Sequence, residues 1–302
     1  MNILITGAWQ QAGEYIEQIE ALGHKTVFLQ WEKNPLPCDP EWVEGIICNG
    51  FFLYHPIEQF VNLKYIQLTS AGFDRVPMEY IEKHGIEIHN AKNVYSIPMA
   101  EFALAGVLSL YKQLPFFYEN QKQHRWEKHR SLLELAGKRV LILGCGSVGK
   151  ECAKRFEAFG CDVVGVNHRI RPDEVFSNMI GFDQLDEELK KADILVLALP
   201  LTEETYHFIS EKRIASMKNT AILVNVARGA IVDQSALERA LEGEQLGGAV
   251  LDVFEEEPLP EESRLWELEN VIVTPHNSFV GERNPERINS CIVRNLEKSI
   301  AL

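Results

Sequence analysis

The chain has few cysteines, no C-x-x-C pair, no excess of positive charge and no long apolar run, and each shortage removes a class of protein. Its six cysteines, Cys38, Cys48, Cys145, Cys152, Cys161 and Cys291, sit mostly in apolar stretches. They read as reduced, buried thiols of a cytoplasmic protein, not as a disulfide framework or a metal site. No run approaches the roughly 20 apolar residues of a membrane helix, so no membrane partner is expected. The opening MNILITGAW has no basic n-region leading into an apolar core, so no signal peptide is expected. Thirty Lys and Arg against 44 Asp and Glu leave a formal charge of -14. That balance argues against nucleic acid or an anionic membrane as the main partner, while allowing a small anion held by a few local cations.

What is present points to an α/β protein. At 302 residues the chain is long for one core, so two domains are expected. The stretch Lys138 to Arg171 reads as strand, glycine turn, helix, strand. Val140 to Leu143 is a short apolar run suited to a parallel strand buried on both faces. Gly144, Gly146 and Gly149 follow in G-x-G-x-x-G spacing: the first for the tight turn, the second for close backbone approach to a pyrophosphate, the third for helix–strand packing. The helix starts near Val148, with Cys152, Phe156 and Phe159 on its inner face and Gly160 closing it. Its free N–H groups point at the phosphates. This context makes the turn a dinucleotide site, of Rossmann type.

One expected residue is missing. An NAD site usually has Asp or Glu at the end of the second strand to bind the ribose 2′-hydroxyl. Here the positions read Asn167, His168, Arg169, Ile170, Arg171. Two arginines can instead pair with a 2′-phosphate, so NADP(H) is favoured and NAD(H) is the alternative.

The first hundred residues alternate strands (Ile3–Thr6, Lys25–Leu29, Ile46–Cys48, Tyr65–Leu68, Ile86–Ile88) with helices at Tyr15–Leu22, near Ile57–Val61 and at Met78–Lys83. This predicts a second parallel sheet with helices on its faces. Gly7 and Gly13 lack the fingerprint spacing and read as an ordinary turn. The segment Thr69-Ser-Ala-Gly-Phe-Asp74 follows a strand, where small residues let backbone N–H groups face an anion. A long, mostly buried helix is expected from about Pro98 to Gln123, with Phe102, Leu104, Ala105, Leu108 and Leu110 inward and Pro115 kinking or interrupting it.

Beyond the fingerprint, strands are expected at Asp193–Pro200, Thr220–Val226, Gly247–Val253 and Val271–His276, with a helix starting at Thr202–Thr205. Each strand end carries polar residues to one edge of the sheet. From Pro285 on, Ile288, Ile292, Leu296 and Ile300 recur at helical spacing, marking an amphipathic helix that packs on the first domain.

LGCGSVGK, NVARGAIVD, LDVFEEEPLP and TPHNS, in this order, resemble the D-isomer-specific 2-hydroxyacid dehydrogenases over nearly the whole chain. The resemblance implies a flavodoxin-like substrate domain, 1–97 with 282–302, and a doubly wound cofactor domain, 98–281. It implies an active site in the cleft, a homodimer built through the cofactor domain, and reduction of a small 2-keto acid such as glyoxylate or hydroxypyruvate. It assigns catalysis to Arg228, Glu257 and His276, and carboxylate binding to Arg228 with the backbone at Ala71 and Gly72. Cofactor contacts fall on Gly144, Gly146, Ser147, Val148, Gly149, Asn167, His168, Arg169, Arg171, Pro200, Thr205, Val226, Ala227 and Asp252, the last toward the nicotinamide carboxamide.

The chemistry is consistent with these residue types. Hydride delivery to a carbonyl carbon builds negative charge on oxygen, which needs a proton. His276 supplies it, Glu257 orients the imidazole, and Arg228 grips the carboxylate in a fork while polarising the keto oxygen. Tyr54, His55 and Trp126 are candidates for the pocket lining, and His24, His84, His129 and His207 are expected to be uninvolved. Some proteins similar to this family are nicotinamide-sensing corepressors without turnover. That alternative calls for sequence outside the two domains, and none is expected in a chain that ends directly after its closing helix.

Overall fold

The computed structural model describes residues 1–171 and 173–300, the side chain of Ile300 excepted. The chain divides into two compact units, Met1–Tyr95 with the segment from Gly281 onward, and Ser96–Val280.

In the first unit the chain runs through β1 (Asn2–Thr6), α1 (Ala12–Ala21), β2 (Lys25–Leu29), β3 (Gly45–Cys48), β4 (Tyr65–Leu68), α2 (Met78–His84) and β5 (Glu87–His89). The strands pair in parallel in the order β2-β1-β3-β4-β5, the flavodoxin-like order. Because successive side chains alternate faces, Ile3, Ile5, Ile47 and Tyr65 line one side, and Leu4, Ile46, Cys48, Ile66 and Leu68 the other. The helix expected near Ile57–Val61 is a single 3₁₀ turn, Ile57–Gln59, because Phe60 already leaves helical backbone at φ -94°, ψ 65°.

The second unit contains α3 (Ser96–Tyr111), α4 (Leu114–Lys122), β6 (Arg139–Leu143), α5 (Ser147–Ala158), β7 (Asp162–Val166), β8 (Asn178–Ile180), α6 (Leu185–Leu189), β9 (Ile194–Leu197), α7 (Glu211–Ser216), β10 (Ile222–Asn225), α8 (Gln234–Glu242), β11 (Gly248–Leu251) and β12 (Val271–Val273). Seven parallel strands lie in the order β12-β11-β10-β9-β6-β7-β8, the Rossmann arrangement with one strand added at the β12 edge. Sequence order reverses at β6, the switch point where such sheets bind ligands.

Four local expectations need correction here. The long helix is two helices: the break falls at Gln113, at φ 53°, and Pro115 sits in the first turn of α4, where a missing N–H is harmless. The face of α3 against the sheet is made of Ala100, Ala103, Gly106, Val107 and Leu110; Phe102, Leu104 and Leu108 are only half-buried and Ala105 is exposed. Close approach explains this, since a Cβ on Gly106 would stand 2.5 Å from Val250. Phe159, placed on the inner face of α5, is 46% exposed because the helix ends before it. No helix begins at Thr202: Thr205 Oγ1 accepts from the Thr202 N–H (2.7 Å) and donates to the Pro200 carbonyl (2.7 Å), closing a turn instead.

The last helix, α9 (Asn284–Ile300), belongs to the first unit. Ile292 and Leu296 are fully buried against Ile3, Ile5 and Trp9. Trp9 Nε1 donates to Asn289 (2.6 Å), and Asn295 donates to the buried Gln67 (2.9 Å), so polar groups as well as the apolar stripe dock the helix. The Ile300 side chain lies outside the described residues. No helix among the described residues is long and apolar enough to cross a membrane.

Candidate active site

All strands of the second sheet point the same way, so the segments after β6, β7, β9, β10, β11 and β12 emerge at one edge. The glycine turn comes first. Gly144 has φ +97°, a conformation that glycine adopts without a Cβ clash, and a Cβ there would also strike the Ala198–Leu199 backbone. Gly149 lets α5 press on the turn, since its Cβ would lie 2.0 Å from the Gly144 carbonyl oxygen. At Gly146, by contrast, a Cβ would meet nothing within 4 Å. The turn is therefore closed on the protein side and open where Ser147 and Val148 begin the helix, which is the space a dinucleotide pyrophosphate needs. Cys145 between the glycines is no nucleophile, because burial pushes its thiol up to about 12.

The loop after β7 is exposed at His168, Arg169 and Arg171. Neither arginine forms an ion pair among the described residues, whereas His168 lies 3.7 Å from Glu204, which follows β9. Asn167 turns back on the loop and donates to the Arg169 carbonyl at 3.4 Å. Two positions assigned to the cofactor, Pro200 and Thr205, form the turn staple described above, and Val226 and Ala227 are buried after β10.

The residues Arg228, Glu257 and His276 follow β10, β11 and β12. Glu257 Oε1 accepts the Phe254 N–H (3.1 Å), which leaves Oε2 to meet His276 Nδ1 at 2.8 Å. With Nδ1 engaged, Nε2 is the imidazole nitrogen with no partner among the described residues. His276 has left-handed backbone, φ 50°. The half-buried Arg228 donates to the Ala227 carbonyl at 2.8 Å.

Asn225 and Gly229 were not singled out by sequence reasoning, and Asp252 was singled out only for a cofactor contact. Asn225, 1% exposed, accepts from Ala227 N (3.1 Å) and donates to the Arg228 carbonyl (3.0 Å), holding the arginine's backbone from both sides. Gly229 allows that loop to lie against the next one, because its Cβ would stand 1.8 Å from the Phe254 carbonyl carbon. Asp252 gathers donors from the His276 turn. The sequence signal for Asn225 and Gly229 was their place in the NVARGAIVD motif beside Arg228.

In the first unit, the Ala71 carbonyl accepts from Asn90 (2.6 Å) and the Gly72 carbonyl from Ser70 (3.2 Å). The Gly72 carbonyl is thus turned toward its own loop and the Ala71 carbonyl toward the segment after β5. Tyr54 is exposed, and His55 Nε2 donates to the Glu32 carbonyl (2.7 Å) while stacking on Phe51. Trp126, in the second unit, is 96% exposed. His24 is buried beside the N-terminal ammonium, and burial together with that charge holds its pKa below the usual imidazole range.

A family model described as "D-isomer specific 2-hydroxyacid dehydrogenase, NAD binding domain" matches residues 104–278. The chain is 36% identical over 246 residues to a D-3-phosphoglycerate dehydrogenase of Methanocaldococcus jannaschii, a match covering 80% of this chain but only 46% of that protein. It is 35% identical over 242 residues to a glyoxylate reductase of Thermofilum pendens, covering 78% of this chain and 71% of the relative. Among solved structures, D-lactate dehydrogenase from Aquifex aeolicus, complexed with NAD and lactic acid, superposes with a TM-score of 0.83 at 29% identity, covering 99% of this chain and 96% of that one.

Proposed function

The chain belongs to the D-isomer-specific 2-hydroxyacid dehydrogenase family and is a nicotinamide-dependent oxidoreductase, and on that premise we propose that it reduces a small 2-keto acid, such as glyoxylate or hydroxypyruvate, with NADPH preferred over NADH. The observation that carries the reaction is the 2.8 Å pair of His276 Nδ1 and Glu257, which leaves Nε2 for a substrate oxygen. When bound, the reduced nicotinamide supplies the hydride. His276 Nε2 gives its proton to the oxygen as charge develops there, and Glu257 holds the ring in the required tautomer. Arg228 binds the substrate carboxylate through its planar fork and polarises the keto oxygen. Backbone N–H groups at Ala71 and Gly72 are proposed to bind carboxylate as well, with their carbonyls already tied down by Asn90 and Ser70.

Cofactor contacts are proposed at Gly144 to Gly149 for the pyrophosphate, with Pro200, Thr205, Val226 and Ala227 around the nucleoside. The 2′-phosphate preference rests on Arg169 and Arg171, exposed in a loop with no acid at Asn167. Measured with one keto acid, wild-type kcat/KM should favour NADPH by about tenfold, the scale of one charge-assisted contact. The preference should shrink as salt screens it. Arg169→Ala should raise KM for NADPH and spare NADH. A wild type that prefers NADH, or a mutant weakened equally with both, refutes the preference. No turnover with any member of a 2-keto acid panel refutes the reaction.

A cytoplasmic homodimer formed through the second unit completes the reading. Its support is a groove of about 800 Å³ beside α4, lined by the exposed Trp126 and by Asn120, a buried amide with no partner among the described residues. His124, Arg125, Lys128, His129 and Arg130 line this groove together with Glu127. Sedimentation of wild type and Trp126→Ala tests it.

A further inference from the structure

Asp252 follows β11 directly and is 1% exposed, yet no ion pair among the described residues includes it. A buried carboxylate without a cation has to be satisfied by hydrogen bonds. All those seen come from one short turn. Thr274 Oγ1 donates to Oδ1 at 2.7 Å, the Asn277 N–H donates to Oδ1 at 2.8 Å, and the Ser278 N–H donates to Oδ2 at 2.9 Å. The Asp252 carbonyl also accepts the His276 N–H at 2.8 Å. Four hydrogen bonds thus tie a single residue to the segment 274–278, and His276 sits at its centre.

That segment needs holding. His276 has φ 50°, a left-handed conformation that is strained for a non-glycine residue and persists only where the surroundings over-determine it. A turn free to relax would move the imidazole off its carboxylate, and misplacement of a reacting group by about 1 Å can cost on the order of 10²-fold in rate.

We propose that Asp252 is a positioning residue for His276: its buried carboxylate bridges Thr274, Asn277 and Ser278 and locks the turn that presents Nε2 to the substrate. This rests on the reading of His276 as proton donor. It differs from a contact to the nicotinamide carboxamide, which is what the family resemblance assigns to this aspartate. A cofactor contact acts on cofactor affinity, whereas a lock on the proton donor acts on kcat at saturating cofactor. The geometry also explains the need for a carboxylate. Both oxygens accept from the turn, so an amide would set its NH₂ against at least one N–H donor.

The test uses the full chain with the fastest-turned-over member of the glyoxylate and hydroxypyruvate panel. Wild type, Asp252→Asn, Thr274→Val, Thr274→Ser and His276→Asn are compared in kcat, in NADPH affinity by fluorescence titration, and in the solvent deuterium isotope effect on kcat. Asp252→Asn should lose about tenfold or more in kcat, keep NADPH affinity within about threefold, and show a larger isotope effect because proton transfer becomes limiting. Thr274→Val, which removes one donor at constant shape, should move kcat and the isotope effect in the same direction by less. Thr274→Ser should restore both, a rescue that loss of folded protein would not mimic.

An Asp252→Asn enzyme with weakened NADPH binding but wild-type kcat at saturation overturns the lock in favour of the cofactor contact. If Asp252→Asn fails to fold, the threonine pair decides, and Thr274→Val with wild-type kcat and isotope effect overturns the proposal. His276→Asn separates the two levels: if it retains wild-type kcat the proton-donor reading falls and the lock with it. If it is inactive while both Asp252→Asn and Thr274→Val are unaffected, only the lock falls.

Discussion

Among the described residues of the second unit, two hydrogen-bonded histidine–glutamate pairs look alike until their ring nitrogens are followed. His276 pairs with Glu257 at 2.8 Å and His207 with Glu255 at 3.0 Å. Side-chain exposures are 35% and 37% in the first pair and 32% and 34% in the second, so accessibility does not separate them. Both histidines even share left-handed backbone, φ 50° and φ 46°. They differ in the atom used. His276 commits Nδ1, the nitrogen beside its own backbone, and its distal Nε2 has no partner among the described residues. His207 commits Nε2 and keeps only the inner nitrogen, with its ring stacked on Tyr206.

The carboxylates differ as well. Glu255 Oε1 also accepts the Gln234 N–H (2.8 Å) at the start of α8, and Gln234 accepts the Glu255 N–H in return (3.0 Å). That pair fastens two loops to a helix end. Glu257 spends one oxygen on the Phe254 N–H and gives the other wholly to its histidine. The two pairs therefore differ in which ring nitrogen stays open, the property on which the proposed proton donation by His276 depends.

The largest expected effect sets the two histidines against each other. His276→Asn should lower kcat for keto-acid reduction by about 10²-fold or more, the usual scale for general acid catalysis, with NADPH affinity nearly unchanged. His207→Asn should leave kcat within about threefold and show its loss in thermal stability, on the scale of one hydrogen bond. Equal losses in kcat would erase the distinction.

A smaller effect is expected from the carboxylates. Glu257→Gln should cut kcat by about tenfold without lowering Tm, because an amide still accepts the Phe254 N–H but orients the imidazole poorly. Glu255→Ala should do the reverse, releasing Gln234 and lowering Tm with kcat preserved. Steady-state kinetics and thermal melts on the same preparations decide.

Gly229 tests whether the two pairs are mechanically joined. Its missing Cβ admits the Phe254–Glu255 backbone, which carries Glu255 and whose Phe254 N–H donates to Glu257. Gly229→Ala should cost about 1–3 kcal/mol of stability by overpacking and should depress kcat as well. A variant with normal Tm and kcat would show that the loops tolerate separation.

The smallest effect comes from a carboxylate at the opposite edge of the sheet, just before β9. Burial opposes ionisation of Asp193, but its ion pair with Lys218 (2.8 Å) and the Arg139 N–H (2.9 Å) outweigh burial and hold its pKa below the ordinary range. A folded-state pKa below the unfolded one contributes stability above about pH 4, lost as pH falls through the folded value. Asp193→Asn should therefore lower Tm at pH 7 by more than at pH 3, with kcat unchanged. The same Tm deficit at both pH values would remove the electrostatic contribution.

The glycine turn was legible because its requirements are local: one positive φ, one close approach and one open face, each met within six residues of Gly144. Strand positions were legible for the same reason, since Val140–Leu143 and Ile194–Leu197 are apolar runs buried on both faces. The helix expected at Thr202 was misread because a side-chain staple from Thr205 to Pro200 competes with helical hydrogen bonding, and composition does not reveal which wins. The α3 surface was misread because large apolar residues attract attention, while the close approach to Val250 selects the small ones.

By itself the sequence determined that Arg228, Glu257 and His276 each follow a strand of one parallel sheet, and so emerge at one edge. That follows from alternation and motif order, which are properties of neighbours along the chain. Only the tertiary structure decided that Glu257 meets Nδ1 of His276, that Asp252 turns its carboxylate to Thr274, Asn277 and Ser278, and that Glu255 serves a helix end. These contacts join residues about 20 positions apart whose distances depend on how separate loops pack. No local propensity encodes that packing; at Gly229, for one, a missing side chain lets one backbone rest directly on another.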